Sequence, residues 1–319
     1  NNDWNRPIYF TGGSYDDSEY IWMKEYLQLD GLVYKLVPIK TPKNPNNSYL
    51  MGRIDSELMY NIVKQWSWGN SDDPNIYHDP ETRKNSISFR SNLARLSEQL
   101  IKENKPEKAK EIIDLAIEKM PIDKFGYYSL LVPFVDNYYT ISEDKLAQNL
   151  ASKISNKYSS ELNYFSSLEI DLQYNMGEEI VTIIERYRTL IEAVLLNKDI
   201  EILEKELDKF TSSINPFIFL YGEYDFYTEL YDIIYGYYLS KSDDKAQKIA
   251  LRLLNVYKNR ISIFIDLPAE EKIRYSEQIK DEIMDFRYFV ELILNNDKSD
   301  FAINIQNEYN TTIGKFKDD

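Results

Sequence analysis

The chain has 319 residues, 43% of them apolar, and carries 38 Lys plus Arg against 53 Asp plus Glu, a net charge of −15. That length leaves room for roughly two domains, and the acidic balance opposes nucleic acid and anionic membrane surfaces, because phosphate binding rests on clustered cations. There is no cysteine, which excludes disulfides, thiolate metal sites and cysteine nucleophiles.

The opening Asn1-Asn2-Asp3-Trp4 has neither the charged nor the apolar region of a signal peptide, and it carries the expectation of a fragment cut from a longer protein. The longest apolar runs fall far short of the ~20 residues that a membrane helix needs. Residues 1–87 read as a small α/β head. Ile8-Tyr9-Phe10-Thr11 is a β-rich run closed by Gly12-Gly13, and Leu32–Val37 is a second, entered from Gly31 and ended by Pro38. Ser18–Leu29 between them reads as a helix, so the unit is expected to be β-α-β, with Ser14 or Asp16 capping that helix. Asp55–Gln65 is a further helix, and Gly69–Arg83, rich in Asn, Asp and Pro, is a polar loop.

Residues 88–319 read as helical repeats. In 88–121 Leu93, Leu96 and Leu100 recur at helical spacing, Asn104-Lys105-Pro106 interrupts, and Ala109, Ile113 and Ala116 resume the period before Pro121. With Ser97 as the small residue, these positions resemble the tetratricopeptide frame, in which small side chains let two antiparallel helices approach. The chain also matches itself without a gap at an offset of 99, Tyr128–Asp199 falling on Tyr227–Lys298. Tyr138-Tyr139 falls on Tyr237-Tyr238, Tyr158 on Tyr257, Arg188 on Arg287 and Glu192 on Glu291. Both copies open with the same frame but depart from it at the small position, Val135 and Ile234, and at the terminal proline, Ser159 and Lys258. Ile180–Leu195 corresponds to Ile279–Leu294, and Ile200–Phe210 more weakly to the segment ending near Tyr309. The expectation is a mainly α fold, a tetratricopeptide-like α-solenoid behind the head, duplicated over about 127–213 and 226–312. Each copy is expected to hold four helices. Stacked helical repeats usually build binding surfaces.

No residue presents itself as catalytic, as a metal ligand or as a cofactor contact. His78, the one histidine, lies in a loop without a nucleophile elbow and reads as a surface residue. Asp72, Asp73, Asp79 and Glu81 lack the spacing that surrounds calcium and read as a solvated turn. Gly12-Gly13-Ser14 lacks a phosphate-loop pattern and reads as a tight turn. With so many acids, no carboxylate pair for glycoside hydrolysis stands out. Two binding candidates remain. Tyr221, Tyr224, Tyr227, Tyr231, Tyr235 and Tyr238 recur every three or four residues, a stripe that reads as interhelical packing or as a face for sugars and extended peptides. Tyr227 and Tyr238 repeat tyrosines of the first copy and fit packing, which leaves Tyr221, Tyr224, Tyr231 and Tyr235 as the binding candidates. Trp66 and Trp68 read either as a lock between head and helices or as a ligand platform.

The head carries a resemblance. Pro7-Ile8-Tyr9-Phe10, the run Glu25–Pro38, Trp68-Gly69-Asn70 and Asn85–Ala94 with Arg90 and Asn92 are similar to the C-terminal soluble region of a family of polytopic membrane proteins. That family is common in Bacteroidota and includes an animal O-mannosyltransferase. The resemblance implies a full-length protein whose N-terminal membrane part is of the GT-C glycosyltransferase kind, with a lipid-linked sugar donor and the catalytic acid in that part. It implies a periplasmic tail, as the soluble part of an inner-membrane protein, that ends in tetratricopeptide-like repeats. Three functions follow. The first is a non-catalytic periplasmic domain that binds or positions a protein, glycoprotein or glycan acceptor and contacts its own membrane domain. The others are a free-standing scaffold for protein partners and a carbohydrate-binding protein.

Overall fold

The computed structural model describes residues 6–11, 21–42 and 51–316, without the side chains of Ile21 and Tyr224. These residues form a mainly α protein with a small antiparallel sheet near the N-terminus. They group into two compact units, 1–154 and 155–319.

In the first unit β1 (Tyr9–Phe10), β2 (Leu27–Asp30) and β3 (Val33–Leu36) form a sheet of order β1-β3-β2, antiparallel throughout. The register sets Leu27 opposite Leu36, Asp30 opposite Val33 and Tyr9 opposite Lys35. This corrects the expected β-α-β unit. Ile21–Tyr26 is a 3₁₀ segment, and Leu27–Asp30, read as the end of a helix, is a strand. The reason is a hairpin: Gly31-Leu32 turns the chain, with Gly31 at φ 74°, so Leu27 and Leu29 are held by β3 rather than by a helix. Gly12-Gly13-Ser14 and Asp16 lie outside the described residues. α1 (Ser56–Lys64) starts at Asp55, whose carboxylate accepts from the Leu58 N–H at 3.1 Å. α2 (Pro80–Lys102) begins inside the stretch expected as loop, because Asp79 caps it and Pro80 supplies a preset first turn.

α2 and α3 (Pro106–Lys119) form a hairpin. Ser97, Ala109 and Ala116 are fully buried in this unit, with Leu93, Leu96, Leu100 and Ile113 beside them. At the turn Asn104 is left-handed (φ 58°); its N–H donates to Ile101 O, and the Lys105 N–H reaches back to Leu100 O at 2.9 Å. α4 (Ile122–Phe125), the 3₁₀ turn Tyr128–Leu131 and α5 (Val132–Thr140) follow. α6 (Asp144–Ser166) gives its first part to this unit and its remainder to the second.

The second unit continues with α7 (Ile170–Asn175), α8 (Gly177–Leu196), α9 (Ile200–Tyr221) and α10 (Tyr227–Leu239). Then come α11 (Asp243–Ile265), α12 (Ala269–Arg274), α13 (Ser276–Asn296) and α14 (Asp300–Gly314). Both ends of α6 recur at a shift of 99 in α11, and both ends of α7 in α12. The turns recur too: Ser142 (φ 62°) closes α5 as Lys241 (φ 61°) closes α10, each followed by a residue whose N–H reaches back five positions. The copies differ from the expected four helices by one short helix each, α7 and α12, too brief to show a periodicity of its own.

Two cores fill this unit. In one, Ser155 is hydrogen-bonded to the Tyr187 hydroxyl at 2.8 Å and to the Glu206 carboxylate, with Lys209 Nζ 3.1 Å from the same carboxylate. Tyr187 stacks on Tyr158 and meets Phe210 edge-on at 4.8 Å. In the other, Tyr257 stacks on Phe286 at 5.4 Å, and Phe286 meets Tyr309 edge-on at 5.0 Å.

Candidate binding site

The end of α1 brings the two tryptophans into a recess of the first unit. After Trp68 the chain reverses through two left-handed residues, Gly69 (φ 55°) and Asn70 (φ 59°), with the Ser71 N–H on Trp68 O at 3.0 Å. Gly69 has open space where a Cβ would stand, so its role is conformational. Trp66 and Trp68 meet edge to face at 5.5 Å, and Phe89 of α2 lies 5.2 Å from Trp66 and 5.5 Å from Trp68. Edge-to-face aromatic contacts at such distances favour a fixed cluster.

Of its two sequence readings, Trp66 takes the position of the lock. Its back meets the hairpin turn, where a Cβ on Gly31 would come within 2.9 Å of the indole, so only glycine fits. Asn92 of α2 donates to Gly31 O at 2.9 Å, and Arg95 donates to the Tyr34 hydroxyl and to Met51 O. Head and hairpin are thereby locked. The fronts of Trp66 and Trp68, both half-buried, face a pocket of about 460 Å³, within the range of small-molecule sites.

α2 supplies one wall. Thr82, Asn85, Ser86 and Phe89 line the pocket and fall at i, i+3, i+4 and i+7, one helical face. Met120 and Phe125 form the floor. They are held there by Arg90, which is fully buried and donates to Met120 O at 2.8 Å, Gly126 O at 2.5 Å and Tyr127 O at 3.3 Å. Burial pulls the Arg90 guanidinium down to about 10, still cationic at neutral pH, and the three carbonyls supply its partial negative counterpart. Its Nε has no partner among the described residues.

His78 is half-buried against the same floor, 4.6 Å from the Phe125 ring, with Nε2 2.9 Å from Ser71 O. A carbonyl only accepts, so Nε2 carries a hydrogen and the other nitrogen of the neutral ring is an acceptor. The acidic residues of the preceding loop have structural partners. Asp72 faces Lys119, Asp73 accepts from the Asn75 N–H at 2.8 Å, and Asp79 caps α2. Glu81 lies beside Lys84 at the start of α2.

The tyrosine stripe divides. Tyr231 lies inside the second unit: its hydroxyl is 2.6 Å from that of Tyr257 and 3.3 Å from Asp285 O, and its ring stacks on Phe289. Burial pushes its phenol far up, so it stays protonated and neutral. Tyr221 is half-buried, donates to Gln173 O at 3.1 Å and packs edge-on against Tyr174. Tyr235 is exposed. The side chain of Tyr224 lies outside the described residues. Of the described candidates Tyr221 and Tyr231 are half-buried in packing contacts and Tyr235 is exposed, while Trp66 and Trp68 line one pocket. Sequence reasoning missed Asn85, Phe89, His78 and Phe125 as their companions. The signal available was the Thr82/Asn85/Ser86/Phe89 stripe, an uncharged helical face ending in one aromatic.

Residues 1–58 match the family model described as TMEM260-associated domain 2. The match covers the sheet and the Gly31 turn behind Trp66, and ends at the start of α1. No curated protein and no solved structure matches the chain.

Proposed function

We propose that this chain is the soluble, non-catalytic part of a membrane-embedded glycosyltransferase-like protein, where it holds a protein or glycan acceptor on the periplasmic side of the inner membrane. The observation that carries the reading is the match of residues 1–58 to TMEM260-associated domain 2. The pocket of Trp66, Trp68 and Phe89 supports it with a place where an acceptor is held. The hairpins support it as well, and we read them as tetratricopeptide-like: Ser97, Ala109 and Ala116 stand buried at the positions where that frame places small residues. The chemistry belongs to the membrane half, and no described helix is long and apolar enough to cross a membrane.

The test is to read the gene upstream of Asn1. Several apolar stretches of about 20 residues are expected there. A start codon next to Asn1 with no such stretch overturns the reading. The recurrence of helix bounds at a shift of 99 favours, as a second reading, a free-standing scaffold for a protein partner. The same upstream sequence decides between the two.

A further inference from the structure

The pocket between the tryptophans and α2 differs chemically from the chain around it. Charged residues make up 29% of the sequence, yet among the described lining residues there is no Asp, Glu, Lys or Arg. A site for an anion, a cation or a charged peptide sets a counter-charge against its ligand. With His78 the one titratable side chain of the described lining, and its Nε2 already on Ser71 O, the pocket favours a neutral ligand. Its surroundings are of two kinds. Trp66, Trp68 and Phe89 offer aromatic faces and edges. Ser67 and Asn85 are exposed at the rim, and among the described residues neither side chain has a hydrogen-bond partner. Ser71, Thr82 and Ser86, by contrast, already spend their hydroxyls on Lys119 O, Asp79 and Arg83 O.

An aliphatic chain would use the rings and leave the rim amide idle. A pyranose ring uses both, since one face presents C–H groups to an aromatic ring and its edge presents hydroxyls to an amide. We propose that this pocket binds a neutral pyranose, the exposed end of a glycan or glycoside, with its C–H face on Trp68 and its hydroxyls on the Asn85 amide. The assignment deepens the acceptor-holding reading, on which it rests for the source of the glycan. Trp68 is the platform because Trp66 is committed on its back to Gly31. Arg90 acts at a distance as a positioning residue, holding Met120 and Phe125 as the floor.

The experiment titrates the 319-residue chain with methyl α-mannopyranoside, methyl β-glucopyranoside, N-acetylglucosamine and the charged N-acetylneuraminic acid. Tryptophan fluorescence and saturation-transfer NMR report binding. At least one neutral glycoside is expected to bind, and the charged sugar not at all. Trp68→Ala is expected to weaken binding about tenfold, the loss of one stacking partner. Asn85→Ala is expected to weaken it about fivefold with the thermal midpoint unchanged, since the residue is exposed on α2. Asn85→Ala keeps the test valid should Trp68→Ala fail to fold, and Trp68→Phe should retain most of the affinity. The assignment is overturned if no neutral glycoside binds, if binding survives both alanine variants, or if N-acetylneuraminic acid binds equally well. Displacement of tryptophan fluorescence by a proline-rich peptide alone overturns the sugar and leaves the acceptor reading standing. Glycoside binding by a chain whose gene has no membrane half does the reverse.

Discussion

The two copies of the 99-residue unit share their geometry and differ in what they bury. Ser155, Tyr187 and Glu206 form a hydrogen-bonded cluster in the first copy. At the same three positions the second has Leu254, Phe286 and Ile305, all buried. The rings keep their arrangement: Tyr158, Tyr187 and Phe210 become Tyr257, Phe286 and Tyr309, one stacked pair and one edge-on pair in each. The bounds of α6 and α7 and the left-handed turn at Ser142 are retained in α11, α12 and Lys241 while the polarity of the core is exchanged, although the left-handed Lys198 is answered by an extended Asp297. The frame is set by backbone turns and aromatic volume, and the polar cluster is one of two ways to fill it.

The largest effect expected from breaking this comparison is at Glu206. Glu206→Ala leaves the Ser155 hydroxyl and Lys209 without their buried acceptor, and should cost roughly 3 kcal/mol of unfolding free energy in urea titration. Replacing the whole cluster by its counterpart, Ser155→Leu with Tyr187→Phe and Glu206→Ile, should return stability to within about 1 kcal/mol of the parent or above it. A triple variant as damaged as the single one would show that the two cores are not interchangeable.

A smaller effect separates two arginines at matching positions. Arg188 bonds Glu192 four residues on and also Asp232 of α10, and its side chain is 27% exposed. Arg287 bonds Glu291 in the same way but is 67% exposed, with no second carboxylate within salt-bridge distance among the described residues. Arg188→Ala should cost about 1 kcal/mol, after allowance for solvent screening. Arg287→Ala should leave the thermal midpoint unchanged; equal losses would mean that the contact with α10 contributes nothing.

The smallest effect concerns Glu229, a buried carboxyl of α10 where the first copy has the half-buried, apolar Leu130. Burial raises its pKa above the ordinary 4.5. A raised folded-state pKa means that the folded protein holds the proton more tightly. Its contribution is fully present below about pH 4.5 and is lost as pH climbs through the folded value. Glu229→Gln should therefore be the more stable protein at pH 7, with the difference vanishing in acid. Denaturation midpoints across that range check the sign.

Much of this frame was legible in the sequence, because the offset of 99 aligns whole helices and large rings repeat at matching positions. The strand Leu27–Asp30 was not. Its Leu-Gln-Leu-Asp alternation before glycine is a hairpin signal, but four residues are short enough to be absorbed into a neighbouring helical pattern. α7 and α12 were missed for the same reason of length. Trp66 and Trp68 were nominated from the sequence, whereas Phe89 and Phe125 reach them only because α2 folds back and Arg90 fixes the chain after α3. Proximity created by a hairpin leaves no spacing to read. The tyrosine periodicity was real in the sequence, but its members differ in the fold, Tyr231 being half-buried and hydrogen-bonded to Tyr257 and Tyr235 exposed.

Unequal cores also bear on how such a chain avoids misassembly. Two copies of one frame in a single polypeptide invite a helix to dock into the wrong copy, a characteristic failure of repeat proteins. Moved against Leu254 and Phe286, Glu206 would lose its Ser155 partner and meet hydrocarbon, a heavy penalty for a carboxylate. Ile305 carried into the opposite site would strand the Ser155 and Tyr187 hydroxyls away from the carboxylate. Exchange of α8 and α9 with α13 and α14 is therefore expected to be penalised in both copies.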